Sequence, residues 1–439
     1  MRYSSSRRRR ACAGVAALGI FAAPLGAGTA VATEPPGPAA FVTSSAPAPS
    51  ADTETDFPEL TPAVATELDK AIRDVMRDAN VPGVMVALSA PGKGTYLRSF
   101  GEADTATGAA MSPGLYMRIG SETKTFTVTA VLELVDEGKV GLDDPISDYV
   151  DGVPNGDKIT LRDLAAMRSG LFNYTGDEGF YKALTSNPDR PFTPQQLLDY
   201  SFKHPVEFQP GEEFQYSNTN TILLGLVVEK AGGMPLHEYI QKNVVEPAGL
   251  RHTTFPTDAA FPLPHAHGYT EQTASGEVED ATDWNPSWGW AAGAMISNLQ
   301  DMRSWAKTVA TGTLLTAETQ AERLKVYPTS TSGDGYGLGI FNIQGWIGHN
   351  GSLPGYQSLT IYLPEAEATL VVLLNTDVTK DGVAPSTLFG KAITGVVTPD
   401  HVYDIPLPPS PPSPESPSSP ASPSSPASPP SPASPPIPY

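Results

Sequence analysis

Cysteine is almost missing from this chain: Cys12 is the only one in 439 residues. It follows Arg9-Arg10-Ala11 inside an N-terminal segment and lacks the apolar context of a lipoprotein signal. Disulfides, a thiol nucleophile and thiolate metal sites are therefore excluded from the body of the protein. Positive charge is scarce as well. Lys and Arg total 28 against 48 Asp and Glu, a formal charge of −20. That balance argues against nucleic acid or anionic lipid as a partner. No Gly-x-Ser-x-Gly elbow occurs, which disfavours an α/β-hydrolase triad. After the first 32 residues no long apolar run follows, so membrane contact is expected from the leader alone.

What is present begins with that leader. Arg7 to Arg10 form a basic region, residues 11–32 are apolar and small, and Ala30-Val31-Ala32 is an A-x-A cleavage pattern. We read 1–32 as a secretory signal peptide and expect a secreted, extracellular or wall-associated protein. Its loss takes five arginines and no acid, leaving a charge of about −25. Residues 33–56 are rich in Pro, Ala, Ser and Thr and read as a flexible linker. Residues 403–439 are mostly Pro and Ser and read as a disordered tail with polyproline II character.

The body is then 57–402. Leu68, Ile72 and Met76 recur at helical spacing. Val84–Leu88 and Tyr96–Phe100 read as a strand hairpin across Pro-Gly-Lys-Gly. Thr123–Gly138 is a helix, and residues 145–285 carry several more, among them Pro194–Phe202 and Asn220–Ala231. Leu299–Ala310 is a further helix. Tyr336–Ile343, Gly345–Gly348, Tyr356–Leu363 and Thr369–Asn375 read as strands. Early and late strands thus flank a helical middle. One sheet built from both ends, with the middle as a helical lobe, would leave a cleft where they meet.

Three short motifs carry chemistry. Ser121 and Lys124 form Ser-x-x-Lys, but so do Ser304 and Lys307, and the pattern alone is weak. Context separates them. Ser304 lies inside its helix, whereas Ser121 opens one, where free N–H groups and the positive dipole end can stabilise an oxyanion. Lys124 sits one turn on, on the same face. As a bare pattern, Ser121 reads equally as a helix N-cap. Tyr216-Ser217-Asn218 is the only Tyr-x-Asn in the chain, and His349-Asn350-Gly351 the only His-x-Gly. His265-Ala266-His267 lacks a third ligand, so no metal and no cofactor is expected.

In this order and spacing, the motifs resemble those of the serine β-lactamase and penicillin-binding protein superfamily. Within it, the chain looks like the secreted Streptomyces-type D-alanyl-D-alanine carboxypeptidases and class C-like serine hydrolases. MRIGSETKTFTVTAVLELVDEGKVGLDDPISDYV, ITLRDLAAMRSGL, PGEEFQYSNTNTILLGLVVEK, WAAGAMIS and GYGLGI extend the likeness over roughly 60–400. The resemblance implies an α/β (α+β) β-lactamase/transpeptidase-like fold: an antiparallel sheet flanked by helices, plus an inserted all-helical lobe. It implies a serine hydrolase working through an acyl-enzyme as a monomer, on a D-amino-acid peptide, an ester, a peptidoglycan stem peptide or a β-lactam.

Carried over by position, the resemblance makes Ser121 the nucleophile and Lys124 its base. Tyr216 would shuttle a proton, and Asn218 would hold the substrate amide and Lys124. His349 would supply a hydrogen bond or positive charge, titrating near the free imidazole pKa of about 6.5. The amides of Ser121 and Ser352 would form the oxyanion hole, Gly351 would leave room for substrate backbone, and Trp288 would line the cleft. A carboxypeptidase must also grip a free carboxylate. Tyr336–Tyr362 contains no Arg or Lys, so esterase, D-amino-acid amidase, endopeptidase and a non-catalytic penicillin-binding protein of the cell envelope stay open beside it.

Overall fold

The structure, a computed structural model, describes residues 57–329 and 334–405. The expected leader (1–32), the linker (33–56) and the tail from 406 onward lie outside the described residues. The elements are α1 (Pro62–Asp78), β1 (Gly83–Ala90), β2 (Gly94–Asp104), β3 (Ala109–Ala110), β4 (Tyr116–Arg118) and α2 (Thr123–Asp136). A helical stretch follows: α3 (Leu161–Ala165), α4 (Glu178–Ser186), α5 (Pro194–Phe202), α6 (Asn218–Gly232) and α7 (Leu236–Ile240). Next come β5 (Tyr269–Thr270), β6 (Glu279–Asp280), α8 (Trp290–Gly293), β7 (Ile296–Asn298), α9 (Leu299–Thr311) and α10 (Ala317–Leu324). The chain returns through β8 (Tyr327–Pro328), β9 (Gly335–Tyr336), β10 (Phe341–Ile343), β11 (Trp346–Leu353), β12 (Tyr356–Leu363), β13 (Ala368–Leu374) and α11 (Pro385–Val397).

Nine strands form one antiparallel sheet in the order β3-β2-β1-β13-β12-β11-β10-β9-β8. The early and late strands join at β1 and β13, with Val84 opposite Leu374 and Val86 opposite Val372. β1 is buried along nearly its whole length, so it reads as a continuous apolar run rather than an alternation. The pleat divides that run. Val84, Val86 and Leu88 pack with Leu68 and Ile72 of α1 and with Phe389 and Ile393 of α11. Met85 and Ala87 belong to the opposite layer, with α2, α6 and α9. The fold is thus the α+β arrangement the resemblance implied.

α2 is the pivot between sheet and helical lobe. It is buried on nearly all sides, so its threonines must satisfy their hydroxyls locally. Thr125 Oγ1 donates to the Glu122 carbonyl at 2.7 Å, Thr129 Oγ1 to that of Thr125 at 2.6 Å, and Thr127 Oγ1 to that of Ala291 at 2.7 Å.

Several boundaries differ from the sequence reading, among them β11, which runs to Leu353 rather than ending at Gly348 and so carries His349 inside the strand. The expected strand Tyr336–Ile343 is two short strands, β9 and β10, separated by a turn in which Gly339 takes φ +71°. The ordered body also runs past residue 402. Tyr403 is 1% exposed and packs with α11, and Ile405 is 9% exposed. A single aromatic anchor just before a Pro/Ser tract was hidden by the composition around it.

Candidate active site

Ser121 sits in a 3₁₀ turn, Gly120–Glu122, that leads from β4 into α2. The turn demands glycine at 120: φ is +54°, and a Cβ there would lie 2.9 Å from the Ser352 amide nitrogen. β11 therefore runs directly against the nucleophile turn. This brings together the backbones of Ser121 and Ser352, the two expected sources of oxyanion-hole N–H groups.

Lys124 is fully buried one turn along α2. Its Nζ lies 2.7 Å from Asn218 Oδ1, 2.8 Å from the Ala292 carbonyl and 3.0 Å from Ser121 Oγ. Burial pushes its pKa well below the ordinary lysine value. In the neutral amine the two N–H groups go to the two carbonyl oxygens, which can only accept. The lone pair is then left facing the Ser121 hydroxyl, the arrangement a general base needs.

Asn218 is the first residue of α6. Its backbone N–H donates to Asn173 Oδ1 at 3.1 Å, which satisfies a free amide at the helix start. Its Nδ2 donates to Asn173 Oδ1 and Thr175 Oγ1, both at 3.3 Å. The Asn218 carbonyl oxygen is thereby aimed at Lys124. Tyr216 is buried just before α6, with Lys124 Nζ 4.9 Å from its ring centre. Burial raises the phenol pKa, partly offset by a hydrogen bond with Ser121. Tyr216 therefore holds its proton at neutral pH and acts as a neutral donor, not a phenolate.

His349 departs from expectation. It is 2% exposed, and its Nδ1 lies 2.5 Å from the Asn350 carbonyl, which can only accept, so the ring proton is on Nδ1. Nε2 then accepts from the Tyr336 hydroxyl at 3.1 Å. Burial, with Lys124 nearby, pushes its pKa down to about 3. His349 is thus neutral, packed against Phe341 with both nitrogens committed, and it provides neither positive charge nor a spare donor. Gly351 also needs correcting. The space a Cβ would take is filled by the Ile119 carbonyl at 2.0 Å and Ser358 Oγ at 2.5 Å. Its missing side chain admits the nucleophile turn rather than substrate.

Glu122, beside the nucleophile, is buried, and desolvation pushes its carboxyl up to about 8. It is mostly neutral at pH 7 and does not compete for Lys124. Trp288 lines the pocket in front of Ser121 together with Tyr174, Phe180, Leu184 and Phe341. The Tyr174 hydroxyl donates to the Trp288 carbonyl at 2.6 Å. Gln272 lines the same pocket. Ser304 lies exposed on α9, outside that pocket. Sequence reasoning missed Asn173, Tyr336 and Gln272. Tyr336 fell within the quoted GYGLGI, but nothing local ties it to a histidine 13 residues later.

A serine at a helix start, a buried lysine whose pKa is depressed and a tyrosine–asparagine pair define a serine hydrolase of the penicillin-recognising class. The chain matches the Beta-lactamase family over residues 68–388 and belongs to that family. Among solved structures it is similar to a D-stereospecific amidohydrolase from Streptomyces sp., at 30% identity and TM-score 0.68, covering 75% of this chain and 98% of that one. It is similar also to D-amino acid amidase from Ochrobactrum anthropi SV3 complexed with D-phenylalanine, at 27% identity and TM-score 0.67, covering 75% and 99%. Protein flp of Staphylococcus aureus (strain N315) is 27% identical over 320 residues, 70% of this chain and 62% of that protein's length.

Proposed function

We propose that this enzyme hydrolyses amides or esters of D-amino acids with apolar side chains, rather than acting as a D-alanyl-D-alanine carboxypeptidase. The carrying observation is the pocket beside Ser121. Its walls are largely aromatic and aliphatic, the polar groups among them such as Gln272 and Asn350 are uncharged, and no Lys or Arg lines it among the described residues. The one basic group expected there, His349, is neutral and turned to Tyr336. A buried free carboxylate would meet no cation, whereas a neutral amide or ester loses nothing by entering. The similarity to D-amino-acid-specific amidohydrolases supports the same reading.

In this mechanism the Ser121 hydroxyl gives its proton to neutral Lys124 as Oγ attacks the carbonyl carbon. The amides of Ser121 and Ser352 stabilise the oxyanion. Tyr216 passes a proton to the leaving amine or alcohol, and a water then cleaves the acyl-enzyme by the reverse relay. The basic leader and the cysteine-free body support an extracellular site of action.

The test compares D-phenylalaninamide, L-phenylalaninamide and acyl-D-Ala-D-Ala. We expect the D-amide to exceed both others at least tenfold in kcat/KM. Faster release of D-alanine from the free acid would overturn the proposal.

A further inference from the structure

One buried carboxylate beside the pocket is left without a role by this mechanism. Asp377, just past the end of β13, is 5% exposed. Its Oδ1 accepts from the Gly355 amide at 2.9 Å, in the turn that follows pocket residues Ser352, Leu353 and Pro354. Its Oδ2 accepts from Thr270 Oγ1 at 3.1 Å and from Gln272 Nε2. Asp377 thus ties two walls of the pocket together, the β11–β12 turn and the segment after β5. The segment is braced further by the backbone N–H of Gln272, which donates to Thr270 Oγ1 at 3.0 Å.

The groups facing Asp377 are a hydroxyl, a side-chain amide and backbone N–H groups, all neutral. Lys380 and Asp381, farther along the same strand end, are turned to each other at 3.5 Å. Burial is the largest cause of the raised Asp377 pKa, about 6, and the hydrogen bonds from Gly355, Gln272 and Thr270 work against it. A carboxylate accepts only, so it must meet the N–H end of Gln272. That leaves Oε1 as the free end of a side chain that lines the pocket. Among the described residues nothing donates to it. A carboxylate behind an amide strengthens the far carbonyl as an acceptor. The arrangement is a negative charge without a counter-ion among the described residues, relayed through an amide toward the substrate.

We propose that Gln272, positioned by Asp377, binds a free ammonium group of the substrate, so that the enzyme selects D-amino-acid amides, esters or peptides with an unblocked amino terminus. This rests on the amide or ester reading of the site and adds the amino-terminal requirement to it. Gln272 is the contacting residue, and Asp377 acts only through it and through the Gly355 turn.

The experiment compares kcat/KM for D-phenylalaninamide and N-acetyl-D-phenylalaninamide. A charge-assisted hydrogen bond predicts a ratio of about ten- to a hundredfold in favour of the free amine at pH 7. Gln272→Met, which keeps the length and loses the acceptor, should bring the ratio to within about threefold, mainly through KM. Asp377→Asn should lower it as well; if that variant does not fold by circular dichroism, Gln272→Met decides.

The pH profile supplies a signature that a merely structural role would not give. In the wild type the ratio should rise as pH increases through about 6, where Asp377 ionises. It should fall again above roughly 7.7–8.0, where an α-amino group loses its proton. The Gln272→Met profile should be flat. A wild-type ratio near one, or a ratio that survives Gln272→Met, would overturn the relay while leaving the amidase reading intact. Cleavage of acyl-D-Ala-D-Ala with no turnover of either amide would overturn both.

Discussion

A buried neutral histidine makes stability depend on pH in a direction that can be worked out. His349 has a folded-state pKa near 3, against about 6.5 when unfolded. The unfolded chain therefore takes up the proton first as pH falls. The contribution of His349 is fully present above pH 6.5 and is lost as pH falls toward 3, at about 1.4 kcal/mol per unit. Between pH 7.5 and 5.5 the loss is about 1.4 kcal/mol, because protonation of the unfolded imidazole only begins near 6.5. Other buried groups oppose it. Glu122 and Glu133 are pushed up to about 8 and Asp377 to about 6, so the folded state gains stability from each as acid is added. The wild-type curve sums these effects, and a substitution is needed to isolate one. His349→Gln supplies an uncharged acceptor for Tyr336. Urea unfolding at pH 7.5 and 5.5 should show the wild type losing about 1.4 kcal/mol more than the variant over that interval. The fixed cost of the substitution cancels in the difference. Parallel pH dependences, or an imidazole of His349 titrating near 6.5 by NMR, would refute the reasoning. The same geometry predicts no activity limb near 6.5 from this residue.

Three further outcomes follow from the site and its anchor. A fluorophosphonate should label Ser121 and leave Ser304 untouched by peptide mass spectrometry, and Lys124→Ala should lower kcat/KM by about 10²–10⁴-fold, the range of a positioned general base; label persisting in Ser121→Ala would refute the assignment. A chain ending at Ile405 should unfold at the wild-type urea midpoint, whereas one ending at Val402 should lose about 3–5 kcal/mol with the buried Tyr403 ring, and equal midpoints would contradict that packing.

Much of this protein is legible in its sequence because the information is local. Apolar periodicity placed α5 and β12 at their observed bounds. The Ser121–Lys124 spacing put both side chains on one face of a helix, and the position of Ser121 at a helix start distinguished it from Ser304. The likeness in motif order carried the antiparallel sheet and the helical lobe. What depends on partners far along the chain was not legible. Tyr336 and the Asn350 carbonyl fix the tautomer of His349, and burial removes its charge, so a residue read as a cation or donor to the substrate serves as neither. Ile119 and Ser358 fill the space at Gly351, which a motif alone presents as room for substrate. Asp377 meets Gln272 only because β13 ends beside the segment after β5, 105 residues away in sequence. Spacing along the chain determines which side chains share a face. Desolvation and hydrogen-bond partners determine which of them carry charge, and those exist only once the sheet has brought both ends of the chain together.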